Sequence, residues 1–405
     1  MASALARLTE AGFSPAVQDV SVEKLDLDSL RRAKLVAISV PMHTALRLGT
    51  RVAAQAADSA HVCFFGLYAE LNSAHLLERH GDSVALDEAR LVELAQALER
   101  GAVPRSSSSL PTRAQPLPAR GALPVLAKYA QLETPSGNKL VASVEASRGC
   151  KHLCRHCPIV PVWKGRFVAL DRELVLADIA QQHAQGASHV SFGDPDFLNG
   201  PTHALRLARE LHQRWPRLTF DATVKIEHLL QHRSLLPELG ASGCLFITSA
   251  VESLNDTVLR ALDKGHIAAE VPVAVQLTRA AGIDLRPTFL PYTPWTERGD
   301  LAALLDFVAA HELEVEPVQL SLRLLIPPGS RILEVAGPWL GALDPEAFGY
   351  RWTHPDGRVD EQQRAVSEAV RAGATLDELR ALFGAAPAPA RPRRQVARLT
   401  EPWFC

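Results

Sequence analysis

Along its first hundred residues the chain alternates short apolar runs with amphipathic stretches. Ala4 to Gly12 repeats apolar positions at helical spacing, Ala16 to Val22 alternates like a strand, and Lys34 to Val40 is a nearly continuous apolar run. His43 to Ala57 is helical again, and His61 to Tyr68 predicts another strand. A helix over Ser73 to His80, a brief strand over Ser83 to Leu86 and a helix over Asp87 to Arg100 complete a doubly wound α/β pattern for residues 1–105. The pattern opens on a helix where such sheets open on a strand. A missing first strand would leave an unpaired flank, so an extra apolar strand is expected to be encoded before Met1.

The periodicity then breaks at SSSSLPTRAQPLPAR, a Ser- and Pro-rich stretch that predicts a linker over 106–138. Beyond it, Leu140 to Glu145, His189 to Phe192, Thr219 to Lys225, Cys244 to Ala250, Asp284 to Leu290 and Val318 to Leu325 each resemble buried strands with helical stretches between them. Six β/α units over 139–344 predict a parallel sheet closed part-way into a (β/α)6 barrel, with functional residues at the C-terminal strand ends. From about residue 345 the pattern decays into short helices, a polar AAPAPARPRR stretch and a terminal Phe404-Cys405, a C-terminal extension over 345–405.

Composition narrows the partners little. A formal charge of -2 over 405 residues gives no field pulling the chain toward nucleic acid or anionic lipid. No apolar run has membrane-spanning length, and the start carries no secretory signal, so a cytoplasmic protein is expected.

The cysteines change the picture. There are six, and three of them, Cys150, Cys154 and Cys157, form a CxxxCxxC motif directly after the first barrel strand. Two chemistries suit it. Three thiolates on one loop can ligate three irons of a 4Fe-4S cube and leave the fourth iron open to a small molecule. A zinc site completed by His152 or His156, in a binding protein without catalysis, is the alternative. Trp163, Lys164 and Arg166 follow the motif and either close over a ligand or pack the loop. Lys225 and Glu227 end the third barrel strand as polar contacts or an ion pair, and Cys63 and Cys244 sit in apolar runs as core residues.

SVEASRGCKHLCRHC resembles the cluster loop of the radical S-adenosylmethionine (SAM) superfamily, and further elements match in order from Lys139 to about Leu333. The resemblance implies reductive cleavage of SAM to methionine and a 5'-deoxyadenosyl radical, with a reductant such as flavodoxin or ferredoxin and a substrate the sequence does not name. It also implies site residues. Gly193, Asp194 and Asp196 stand at a Gly-Gly-Glu-Pro-like turn, Glu252 at the Glu-Ser strand end, Lys264 in the following Lys-Gly element, Pro327 to Ser330 at a Pro-Gly-Thr-like turn, and His156 where an aromatic residue usually lies near adenine. The first hundred residues resemble the cobalamin-binding domain of cobalamin-dependent relatives through Ser39-Val40-Pro41 and Phe65-Gly66-Leu67-Tyr68. That implies cobalamin and methyl transfer, or else a degenerate scaffold, since no Asp-x-His-x-x-Gly motif is present. RLTEAGFSPAVQDVSVE, FGDPDFLNGP, FDATVKIEHLL and TEPWFC together resemble the radical SAM proteins with a Cys-selenocysteine-Ala-Glu-Pro or Cys-Cys-Ala-Glu-Pro tail. From this resemblance a UGA-encoded selenocysteine is expected after Cys405.

Overall fold

The computed structural model describes residues 1–56, 59–102, 106–107, 115–382 and 397–400. A parallel sheet and a larger mixed sheet organise it. The N-terminal sheet has four strands in sequential order, β1 (Leu35–Ser39), β2 (His61–Phe65), β3 (Ser83–Ala85) and β4 (Ser106–Ser107). The helices between and before them are α1 (Ala2–Glu10), α2 (Leu27–Arg32), α3 (His43–Ala56), α4 (Leu67–Leu71), α5 (Ser73–Arg79) and α6 (Glu88–Glu99). Helix starts follow local chemistry: Asp26 accepts from the Asp28 and Ser29 amides to cap α2, and Asp87 accepts from the Arg90 amide to cap α6. Val36, Ile38, Val62, Phe64 and Val84 pack with α3 and α5 on one face of this sheet, while Cys63, Phe65 and Ala85 meet Ala4, Leu91 and Leu94 on the other.

Three expectations for this half need correction. Ala16 to Val22 is not a strand, because Asp19 accepts from the amide and hydroxyl of Ser21 and from the Tyr129 hydroxyl, bending the chain into a turn. His61 to Tyr68 is strand only to Phe65, since Gly66 turns with φ 110° and α4 follows. The stretch over 106–138 is not featureless: it supplies β4 to the first sheet and β5 (Gln131–Thr134) to the second.

The second sheet has seven strands. β6 (Gly137–Val144), β9 (His189–Phe192), β10 (Thr219–Thr223), β11 (Cys244–Glu252) and β12 (Asp284–Phe289) are parallel neighbours in that order, and β5 adds antiparallel to β6. A short antiparallel pair, β7 (Ser147–Gly149) and β8 (Phe167–Ala169), frames the cysteine loop and its helix α7 (Ile159–Trp163). α8 (Arg172–Ala184), α9 (Pro201–Arg214) and α10 (Ile226–Gln231) begin the helical layer, and Val190, Phe192, Leu207, Phe220 and Ile247 are among the residues that fill the space between sheet and helices.

The sixth β/α unit is reduced. In place of a strand over Val318 to Leu325, a 3-10 turn runs over Pro317–Ser321, with one parallel bridge between Tyr292 and Arg323. Pro317 has no amide to give a ladder, and the Gln319 side-chain carbonyl accepts from Phe289 N at 3.1 Å where a strand carbonyl would stand. The C-terminal extension contributes a hairpin, β13 (Leu340–Asp344) with β14 (Gly349–Trp352), and helices over Gly357–Arg371 and Leu376–Leu382. It then returns as β15 (Arg398–Leu399), which pairs with the outer edge of β5, a strand the sequence pattern does not reveal. The AAPAPARPRR stretch and Cys405 lie outside the described residues. Among the described residues, no helix is long and apolar enough to cross a membrane.

Candidate functional site

All three motif cysteines lie on the loop between β7 and α7, at the C-terminal end of the barrel strands. Gly149, one residue before Cys150, has φ 78°, and a Cβ there would overlap the Arg166 carbonyl and the Trp163 ring. Trp163 is therefore packing, buried under the loop it follows. Cys150 and Cys154 are buried, and burial pushes the Cys157 thiol up to about 12 and raises Cys150 as well.

Later turns clamp the loop. Arg155 N donates to Leu262 O at 2.8 Å, Ser330 Oγ to Arg155 O at 3.1 Å, and Arg331 Nη1 to Leu153 O at 2.5 Å. Asn199 Oδ1 accepts from Lys151 N at 3.1 Å and faces the Cys150 thiol at 3.9 Å. The turn after β9, the helix end before Lys264 and the Pro327–Ser330 turn, far apart in sequence, thus converge on one loop.

Glu252 and Lys264 meet beside it. Lys264 Nζ is 3.2 Å from Glu252 Oε1, and His156 Nε2 lies 3.0 Å from the same oxygen. Glu252 ends β11 past a bulge with φ 66°, a left-handed conformation held in place by these two partners. Burial opposes both charges. Lys264 and His156 together outweigh it and hold the Glu252 carboxyl well below its usual range, while Glu252 and Cys154 together keep the Lys264 ammonium above its own. The His156 ring is thus turned to a carboxylate.

Gly193 is exposed at the end of β9, its amide bonded to Val144 O at 2.8 Å. The two aspartates after it are buried. Asp194 accepts from Ala146 N at 2.9 Å and from the Ser147 hydroxyl, bracing β7; burial raises its carboxyl to about 7. Asp196 is fully buried and accepts from Leu198 N at 3.0 Å, with His228 Nδ1 2.8 Å from its second oxygen. Both carboxylates are thus taken up by partners within the protein.

His152 turns away from the thiols toward His228, with the two Nε2 atoms 3.1 Å apart, and Glu227 Oε2 is 3.4 Å from its Nδ1. Burial, then Lys225 and His228, lower the His152 imidazole to about 4, so it is neutral. Lys225 and Glu227 form the ion pair at 3.1 Å. The sequence reading missed His228 and Asn199; they follow the ends of β10 and β9 by five and seven residues, and that position past a barrel strand is the only signal they carry.

Fit to a metal can be judged on these facts. With His152 and His156 both engaged elsewhere, the loop has no histidine left for a zinc ion held by three thiolates. Among the described residues one set of three metal-ligating atoms lies within 4.8 Å of one another, and it is not the three thiols. Sulfurs set that far apart suit three corners of an iron-sulfur cube better than one ion.

Residues 144–305 match the Radical SAM superfamily profile. This part of the chain is a radical SAM domain. The tRNA-2-methylthio-N(6)-dimethylallyladenosine synthase of Shewanella frigidimarina is 25% identical over 201 residues, covering 46% of this chain and 41% of its own length. The ribosomal protein uS12 methylthiotransferase RimO of Desulforudis audaxviator is 22% identical over 193 residues, 44% of this chain and 42% of its own length. The chain therefore spans about two fifths of the length of these curated relatives. In fold, 92% of the chain superposes on 86% of the radical SAM methyltransferase TsrM of Kitasatospora setae with TM-score 0.68 and 15% identity. The cobalamin-dependent radical SAM enzyme OxsB matches over 86% of this chain and 59% of its own, with TM-score 0.61 and 16% identity. A radical SAM enzyme works with a 4Fe-4S cluster and SAM, and needs a reductant and a substrate.

Proposed function

We propose that the chain cleaves SAM reductively at a cluster held by Cys150, Cys154 and Cys157, with Gly193, Glu252, Lys264 and His156 around the bound SAM. The observation that carries this reading is the buried Glu252–Lys264 pair directly beside the thiol loop. When bound, the cluster supplies the electron that breaks the sulfonium bond of SAM. What the chain's own residues contribute is placement. Glu252 offers a carboxylate for an ammonium or a ribose hydroxyl, Lys264 keeps that carboxylate ionised, and exposed Gly193 leaves backbone within reach of a ligand.

The N-terminal sheet carries the second part of the proposal, a cobalamin seat and methyl transfer onto an unidentified substrate. Its strands end on Val40-Pro41, Phe65-Gly66 and Leu86, apolar or small residues that suit a large flat macrocycle held by backbone and packing. The His43 Nε2 is 2.9 Å from Ala347 O and so is engaged by the C-terminal extension. The proposal includes a cytoplasmic reaction, favoured by a low-potential cluster and reduced thiols, with a flavodoxin or ferredoxin as electron donor and, on a net charge of -2, a substrate other than nucleic acid.

Anaerobic reconstitution with iron and sulfide tests the reading. The wild-type chain is expected to turn brown and release 5'-deoxyadenosine from SAM with dithionite, and Cys150→Ala, Cys154→Ala or Cys157→Ala to bring bound iron to background. Glu252→Gln should keep the cluster and weaken SAM about tenfold or more, the loss of one charge-assisted contact. A triple cysteine variant with a full cluster signal would overturn the assignment.

A further inference from the structure

A second group of metal-ligating side chains lies beside the thiol loop, and the radical SAM reading does not use it. His152 comes from the loop after β7, Asp196 from the turn after β9, and His228 from α10 after β10. One nitrogen of each imidazole and one carboxylate oxygen of Asp196 all lie within 4.8 Å of one another. His152 Nε2 is 3.1 Å from His228 Nε2 and 3.7 Å from Asp196 Oδ2. Two atoms bound to one ion at zinc-like bond lengths of about 2.0 to 2.2 Å stand roughly 3 to 3.5 Å apart, so the spacing already approaches that of a ligand set.

Hydrogen bonding accounts for only part of the group: the two Nε2 atoms share one bond, and Asp196 accepts from Leu198 N at 3.0 Å and from Lys225 N at 3.4 Å. His228 Nδ1 is buried and 2.8 Å from Asp196 Oδ2, yet the two are out of line and the nitrogen has no hydrogen-bond partner. Asp196 is fully buried, and an ionised carboxylate there needs a cation. The Lys225 ammonium, at the end of the neighbouring strand, is 3.1 Å from Glu227 and is paired there. Glu227 in turn stands 3.4 Å from His152 Nδ1, where an outer carboxylate fixes the tautomer that leaves Nε2 free to ligate.

We propose that His152, Asp196 and His228 bind one divalent transition-metal ion, distinct from the iron held by the thiols. Two imidazoles and one carboxylate suit zinc, ferrous iron or cobalt and disfavour magnesium and calcium. Three protein ligands leave a coordination position for water. The ion ties the cysteine loop to the ends of two barrel strands, so the loop is preformed before any cluster is built. The assignment stands apart from the cluster assignment, because none of its ligands is a thiol.

The probe is Co(II), titrated into the full-length chain carrying Cys150→Ala, Cys154→Ala and Cys157→Ala after metals are stripped. One Co(II) per chain is expected, with visible ligand-field absorption that Zn(II) abolishes. Asp196→Asn and His228→Ala in the same background should each weaken it at least a hundredfold, and Glu227→Gln about tenfold. Circular dichroism shows whether each variant is folded. If the triple variant is not, the anaerobically reconstituted wild-type chain is titrated with Zn(II) instead, with iron and sulfide counted; one zinc beyond the cluster iron is expected. No stoichiometric Co(II) or Zn(II), or binding unchanged in both ligand variants, overturns the proposal and leaves a hydrogen-bonded group only.

Discussion

The N-terminal sheet and the five parallel strands of the barrel sheet lie on either side of the cysteine loop, yet they finish their C-terminal ends differently. The barrel buries Asp194, Asp196, Lys225, His228 and Glu252 just past its strands, each with a charged or hydrogen-bonding partner. The N-terminal sheet ends on Val40, Phe65, Gly66 and Leu86, and its first charges, Asp87 and Glu88, belong to the start of α6. Buried charge is costly unless paired, so a strand end rich in it marks where chemistry is done. An apolar end marks a surface that seats something large or docks another layer. Here α4, which follows β2 of the N-terminal sheet, already rests on α7 of the cysteine loop.

Gly149 offers the hardest test of that contrast, since the barrel's charged mouth depends on one residue having no side chain. Gly149→Ala adds a Cβ at φ 78° into the Arg166 carbonyl and the Trp163 ring. Neither can yield without moving the loop. Iron retained after reconstitution and desalting should fall at least tenfold, although all three thiols remain. A variant that loads iron like wild type would show the loop to be set by its outer clamps alone.

The next test concerns the joint between the sheets. Arg148, two residues before Cys150, makes two hydrogen bonds to Glu88 at 2.9 and 3.1 Å and one to Glu145 at 2.9 Å. Both Arg148 and Glu88 are largely buried, at 14% and 13% side-chain exposure. Arg148→Met leaves a buried carboxylate unpaired and should cost about 3 kcal/mol in urea unfolding, whereas Arg148→Met with Glu88→Met should recover most of it. Equal losses in the single and double variants would mean that the pair does not join the sheets.

How much of this was legible in the sequence follows the same divide. Apolar periodicity predicted β1 to β3, β6 and β9 to β12, and the thiol spacing located the loop, because both are local signals. What was hidden depends on distant partners. β15 is two residues long and reads as a strand only because β5 offers it an edge, and Val318 to Leu325 has strand composition but Pro317 and Gln319 turn it. Glu252 and Lys264 were placed by their resemblance to a family pattern, and the structure brings them to 3.2 Å. Asp194 and Asp196 were placed at a cofactor-binding turn by the same pattern, and no local rule could say that both would be buried against partners within the protein.

Asp194 gives the smallest and most specific test. Its carboxyl is raised to about 7 from an ordinary value of 3.8, with burial outweighing the hydrogen bonds from Ser147 and Ala146. The folded chain therefore holds a proton at this residue that the unfolded chain has already lost. Between about pH 4 and 7 the folded state binds more protons than the unfolded state, so the contribution of Asp194 to stability falls as pH rises, and levels off above 7. Asp194→Asn keeps the shape and cannot titrate. Urea unfolding of the cofactor-free chain at pH 5.0 and 6.0 should show wild type losing about 1.4 kcal/mol more than the variant over that one unit. Parallel losses would mean that Asp194 is ionised inside the fold, and that the barrel's strand end carries one more buried negative charge facing the thiol loop.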